Sequence, residues 1–216
     1  MMRTVIGALV LLCMAAPAVA ARPAEKTFEQ VFSAKGEPAA THFKAIFAVN
    51  GAEHNLEVWR ETNRIRRVTD GTVETFATRK SGTADYRLSV LDFKKKIRTD
   101  IDRENLYRIG HFSDWFDLGH GLRHPKGQYH LSATSAPART EDMIAPCAWF
   151  DLAQEGRITH VCWSIKHRLP LLIQAADGRT LWRITSVDHA LIRSATFAIH
   201  DEGFVRNDAN RDIEQD

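Results

Sequence analysis

The spacing of apolar residues changes period near residue 40 and then holds it. Over 25–34, "EKTFEQVFSA", Phe28, Val31 and Phe32 fall at i, i+3 and i+4, one helical stripe that Gly36 and Pro38 close. From His42 the period is two. In "HFKAIFAVN", Phe43, Ala45, Phe47 and Val49 share a face, and Asn50-Gly51 marks a hairpin turn. Strands follow at 56–61 and 63–68, then Asp70-Gly71 as a second turn, then strands at 72–79, 85–93 and 95–101. The second half repeats the pattern: 127–134, a Pro-bounded loop at 137–146, a hairpin about Gln154-Glu155-Gly156, 169–176, a turn at Asp177-Gly178, 179–187, and a last strand near 194–199. About ten strands with few helices predict a mainly β (α+β) protein, built as one large curved antiparallel sheet or a partly open barrel.

Between the halves the period returns to helical. Asp102 can cap a helix over 103–109 that Gly110 stops, and Ser113 can cap a second that Pro125 bounds. The stretch "HFSDWFDLGHGLRHP" (111–125) carries an apolar face of Trp115, Phe116, Leu118 and Leu122, which must pack on the sheet as a lid. Its polar residues admit two readings. Asp117 and His120 are i, i+3, and His120 and His124 are i, i+4, so with His111 they could converge on a metal. Gly119 and Gly121 weaken a helix there, and no H-E-x-x-H couples two ligands to a base. The alternative is a capped amphipathic segment whose Asp117, His120 and His124 face solvent or cap backbone groups.

The chain ends bear on compartment. Arg3, the apolar run from Val5 to Met14, and Ala18-Val19-Ala20 have the form of a cleavable export signal over 1–20, leaving one domain over 21–216 and a periplasmic location. Leu11-Leu12 before Cys13 does not suit lipid attachment. In an exported chain Cys147 and Cys162 read as a disulfide. A four-residue hairpin loop at 153–156 would set them directly opposite, and closing such a loop contributes about 3 kcal/mol. With 29 Lys and Arg against 27 Asp and Glu, the net charge of +2 gives no pull toward nucleic acid, although "RIRR" and Lys94-Lys95-Lys96 could touch anionic headgroups at a membrane surface. No G-x-S-x-G, C-x-x-C-H, Walker loop or G-x-G-x-x-G is present, so no catalytic residue and no cofactor are assigned.

The aromatic residues carry the functional reading. One short helix and a lid segment need not fill the hollow of a curved sheet, and what remains would be an apolar pocket. The expected lining is Phe43, Phe47, Trp59, Phe76, Trp115, Phe116, Trp163 and Trp182.

Two stretches suggest a family. "ATFAIHDEGFVRND" alternates Phe197 and Ile199 before Gly203 and Val205, and "LSVLDFKKKIRTDI" forms a characteristic hairpin. With the export signal and the mid-chain helical break, the layout resembles the periplasmic lipoprotein-carrier superfamily (LolA/LolB-like, with the LppX-like and RseB-like lipid-binding domains). The resemblance implies an unclosed antiparallel half-barrel, short helices over its concave face, and a cavity for acyl chains. The expected function is therefore a non-enzymatic binding or carrier protein for a lipid, a lipidated protein or another hydrophobic ligand. A metal-dependent envelope enzyme built on 111–124, and an envelope assembly or stress-sensing module with a protein partner, are the alternatives.

Overall fold

A computed structural model describes residues 26–108, 114–138, 140 and 143–214. The expected export signal over 1–20 and the expected roles of Gly110, His111 and Ser113 lie outside these residues. Helix α1 (Phe28–Val31) is shorter than its stripe implied. Thr27 and Gln30 cap it reciprocally, and Phe28 and Phe32 are both buried.

The first half is a meander of β1 (Ala40–Val49), β2 (Ala52–Glu61), β3 (Arg64–Thr69), β4 (Val73–Arg79), β5 (Tyr86–Asp92) and β6 (Ile97–Asp102). Asn50 and Gly51 both take positive φ, 51° and 82°, the geometry a two-residue hairpin needs to match strand twist. Helices α2 (Arg103–Arg108) and α3 (Trp115–His120) follow. Asp102 ends β6, where its carboxylate accepts from Arg87 Nε at 3.0 Å. The second half runs β7 (Tyr129–Thr134), β8 (Ala148–Gln154), β9 (Arg157–Ser164), β10 (Leu169–Ala175) and β11 (Thr180–Asp188). The chain closes with β12 (Val205–Asp208) and α4 (Ala209–Glu214).

The twelve strands form one sheet in the order β12-β6-β5-β4-β3-β2-β1-β11-β10-β9-β8-β7. Its edges, β12 and β7, do not meet, so the sheet stays open. It is mixed rather than wholly antiparallel, because β12 pairs with β6 in parallel. The order forces the chain to cross the sheet twice. After β6, next to the β12 edge, it must reach β7 at the other edge. After β11, in the middle, it must return to β6. The described part of the first crossing, 103–108 and 114–128, lies over one face, where Phe116 of α3 packs 5.9 Å from Phe28 and 6.2 Å from Trp163 between ring centroids. The second, 189–204, lies over the opposite face.

That second crossing corrects the strand expected at 194–199. Ser194–Phe197 is a 3-10 turn. The neighbouring strands β11 and β6 are already paired elsewhere, so the segment has no ladder to join. It is held by side chains instead: the Arg64 guanidinium lies 4.4 Å over the Phe197 ring, and Arg66 Nη1 donates to Thr196 O at 3.2 Å.

The cysteines are bridged, but not by the expected register. The β8–β9 turn is two residues, Glu155 and Gly156 at φ 52° and 74°, not four. Trp149 therefore stands opposite Cys162. Cys147 lies just outside the ladder and reaches Cys162 diagonally, with Cα atoms 5.4 Å apart, still within disulfide range.

Candidate functional site

Helix α3 is the centre of the concave face. Asp114 caps it by accepting from Asp117 N at 2.7 Å, taking the role that the sequence offered to Ser113. Gly121, in the left-handed region at φ 72°, ends it, well before Pro125. The two glycines that weaken the helix in the sequence let it settle onto the sheet. A Cβ on Gly119 would come within 2.9 Å of Arg60 Cδ, and one on Gly121 would collide with the Trp182 ring.

Arg60 is a charged residue on an apolar face, in phase with Leu56 and Val58 on β2. It is 3% exposed. Its Nη1 donates to Gly119 O at 3.0 Å, and Nη2 lies 3.3 Å from Glu37 Oε2. The buried Nη2 has no hydrogen-bond partner of good geometry among the described residues. His120 is buried, not solvent-facing as the amphipathic reading had it. Its ring stacks on Phe116 at 3.9 Å; Nδ1 lies 2.9 Å from Phe116 O and Nε2 lies 3.1 Å from Glu37 Oε2. Both partners are acceptors, so protonation would complete both bonds. Burial works against it, with the Arg60 charge adding, and holds the His120 pKa below its usual value. Burial raises Glu37, but the His120 bond and the Arg60 charge outweigh it and keep the carboxyl below its ordinary range.

His124 is in the opposite state. Its Nδ1 is 2.6 Å from Asp114 Oδ2 and 3.7 Å from Asp117 Oδ1. Asp114 first and Asp117 second raise its pKa to about 9, so the ring is an imidazolium at neutral pH. Ligand atoms of Asp114, Asp117 and His124 lie within 4.8 Å of one another. The group differs from the expected one: Asp114 enters and His120 leaves, because the helix turns His120 inward to Glu37 while the chain after Gly121 folds His124 back to the N-terminus of α3. A metal would have to displace a proton held by two carboxylates. Asp117 also faces Arg67, whose pKa burial lowers to about 10, and lies 3.9 Å from Arg123 Nε. The cluster is built as an internal ion network.

The eight aromatic residues divide between the two faces. Directly opposed residues in a ladder point the same way. Phe47 opposes Trp182, which opposes Ile173, which opposes Val161 and then Phe150. Phe150 and Trp163 touch Phe32 of the α1 segment at 5.6 and 5.4 Å. Phe43, Phe47, Trp163 and Trp182 are therefore concave, and Trp115 and Phe116 reach them from α3. Trp59 opposes His42 and Arg66, and Arg66 opposes Phe76. Trp59 is out of phase with Val58, which opposes Phe43, so Trp59 and Phe76 point to the convex face and line no concave pocket. There His42 stacks on Trp59 at 4.9 Å and Arg66 lies between the Trp59 and Phe76 rings.

The concave face is largely filled by the chain itself. Phe43 and Trp163 are each 1% exposed, beneath Phe28, Phe32, Leu118 and Leu122. Open space remains beside α3, in a pocket of about 320 Å³ walled by Trp115 and Phe116 and floored by Arg60, Glu37 and His120. Arg79 and Arg103 form its rim and also line an adjoining hollow of about 780 Å³. Arg79 stacks 4.2 Å over Trp115 and donates from Nε and Nη2 to Thr62 O. The aromatic reading missed these charged residues. Arg60 in phase with Leu56 and Val58, and Arg79 in phase with Ala77, were the signal available. Their partner Glu37 lies in a loop with no pattern.

No family model matches the chain, and no curated protein matches it. A solved structure of PNGF-II aligns with 81% of this chain at 10% identity and a TM-score of 0.31, a likeness too slight to bear on fold or function. This chain covers 32% of that one. Among the described residues no helix is long and apolar enough to cross a membrane.

Proposed function

We propose that the chain is a binding or carrier protein of the cell envelope, which takes a lipid, a lipidated partner or another hydrophobic molecule at the concave face of the open sheet. The observation that supports this reading is the pocket beside α3. The apolar face of the sheet is covered there by short helices rather than by a second sheet, and Trp115 and Phe116 stay only half-buried where that cover leaves a gap. At about 320 Å³ the gap is at the lower end of the roughly 300–1,000 Å³ of ligand pockets. It suits one end of a ligand, with α3 moving aside to admit the rest. A segment with few stabilising turns and an ion network at its base opens more easily than the strands beneath it. Transfer of acyl chain from water would drive binding at about 0.8 kcal/mol per CH₂.

A fluorescent fatty-acid analogue tests this directly. It should bind with a change in Trp emission, and lipid extracted from the cell envelope should displace it. Failure of every such extract to compete would remove the carrier reading.

A further inference from the structure

Resting on that reading, we propose that the pocket beside α3 is an anion site, and that the molecule it takes is an amphiphile headed by a carboxylate or phosphate. Three guanidinium groups line it: Arg60 on the floor, Arg79 and Arg103 at the rim. The acidic groups facing them are already engaged. Glu37 is shared between Arg60 and His120, and Asp114 is paired with the His124 imidazolium. Arg103 meets the exposed Asp85 at 3.7 Å, a surface pair that solvent screens. The pocket lining sets three guanidinium groups against the two carboxylates of Glu37 and Asp114.

The donors are placed for such a head. Arg60, 3% exposed, is the pocket's most deeply buried guanidinium; its Nη2 lies 3.3 Å from Glu37 Oε2 and has no hydrogen-bond partner of good geometry among the described residues. A guanidinium held in a fixed plane offers a carboxylate or phosphate charge-assisted donors. Arg79 has its Nε and Nη2 committed to Thr62 O and its face against Trp115, which fixes its plane while the Nη1 hydrogens take no part in those bonds. Trp115 and Phe116 give the first carbons of a chain an apolar wall. Charged floor and aromatic wall together fit neither a bare ion nor an uncharged lipid as well as they fit an anionic amphiphile.

The test compares heads at constant chain length. Decanoate, decyl phosphate and decanol are titrated below their aggregation limits against the protein, read by Trp emission, with inorganic phosphate and acetate as chainless controls. The two anions should bind at least about ten-fold tighter than decanol, the effect of one charge-assisted contact. Arg79→Gln and, separately, Arg103→Gln should each narrow that ratio several-fold. Equal affinity for all three decyl compounds would overturn the anion site and leave the carrier reading standing. Binding of none would remove both. Phosphate or acetate binding as tightly as its decyl counterpart would reassign the pocket to a small free anion and overturn the amphiphile. The wild-type comparison needs no variant, so a poorly folded Arg79→Gln leaves the outcome decided.

Discussion

The concave face sets Trp163 and Trp182 among Phe32, Phe43, Phe116 and Leu122, whereas the convex face sets Trp59 between a histidine ring and Arg66. Both faces are crossed by a return segment of the chain. Over the concave face the crossing contributes apolar side chains and buries an Arg–Glu–His set at its margin. Over the convex face, from β3 to β6, the crossing holds by cation–aromatic contacts and ion pairs, such as Arg98 Nη1 to Asp201 Oδ2 at 2.9 Å. The same residue types thus do different jobs. Burial of apolar area dominates the first cover. The second rests on ion pairs and cation–aromatic contacts that contribute about 0.5–1 kcal/mol each.

The sharpest way to break this contrast is to delete one tryptophan from each face. Trp163→Ala should cost about 3–5 kcal/mol, since it opens a cavity in a packed core. Trp59→Ala should cost about 1 kcal/mol, the stacking and cation contact alone. Urea unfolding measures both, and similar losses would mean the faces are equivalent after all. The disulfide comes next. Cys162 points to the convex side, opposite Trp149, where Cys147 and Met143 cover it. Reducing it should cost about 3 kcal/mol for its separation of 15 residues. Protein lacking residues 1–20 should show no titratable thiol when denatured without reductant.

Gly121→Ala probes how closely α3 sits on the concave face. Its Cβ must collide with Trp182, and the overpacking should cost about 2–3 kcal/mol in thermal or urea unfolding, whereas Gly71→Ala, which meets nothing on the surface, carries only the strain of positive φ. The smallest effect is electrostatic. The folded pKa of His124, about 9, lies above its ordinary value of 6.5, so the stability it contributes is full below pH 6.5 and is lost as pH rises through 9. His120 has the opposite sign: its folded value is lowered, so its contribution is present above pH 6.5 and falls as the pH drops below that. Asp114→Asn should flatten the alkaline slope, and because the Asp114 carboxyl is itself held below its ordinary value it should also weaken the acid limb below pH 3.8. An alkaline slope undiminished by the change would show that His124 is not the group responsible.

Much of this protein was legible as pattern. The period-two runs located β1 to β11 but not β12, Asn50-Gly51 and Asp177-Gly178 located turns, and two cysteines beside one hairpin located a bridge even though the assumed loop was two residues too long. A strand's alternation also carried the relevant warning about Arg60, which shares the parity of Leu56 and Val58. The aromatic lining was less secure. Alternation says that Trp59 and Val58 face opposite ways, but it does not say which face is covered, and here both are.

The sequence by itself determined the local geometry: strand, turn and cap are set by residues close in the chain, through side-chain period, positive φ and capping oxygens. The tertiary structure alone decided what the two crossings meet. His120 and His124, one helical turn apart, end as a buried ring below its usual pKa and an imidazolium near 9, because one meets Glu37, 83 residues away, and the other is folded back to Asp114. Charge state depends on burial and on neighbours brought together by the sheet order, and neither quantity is a property of local spacing.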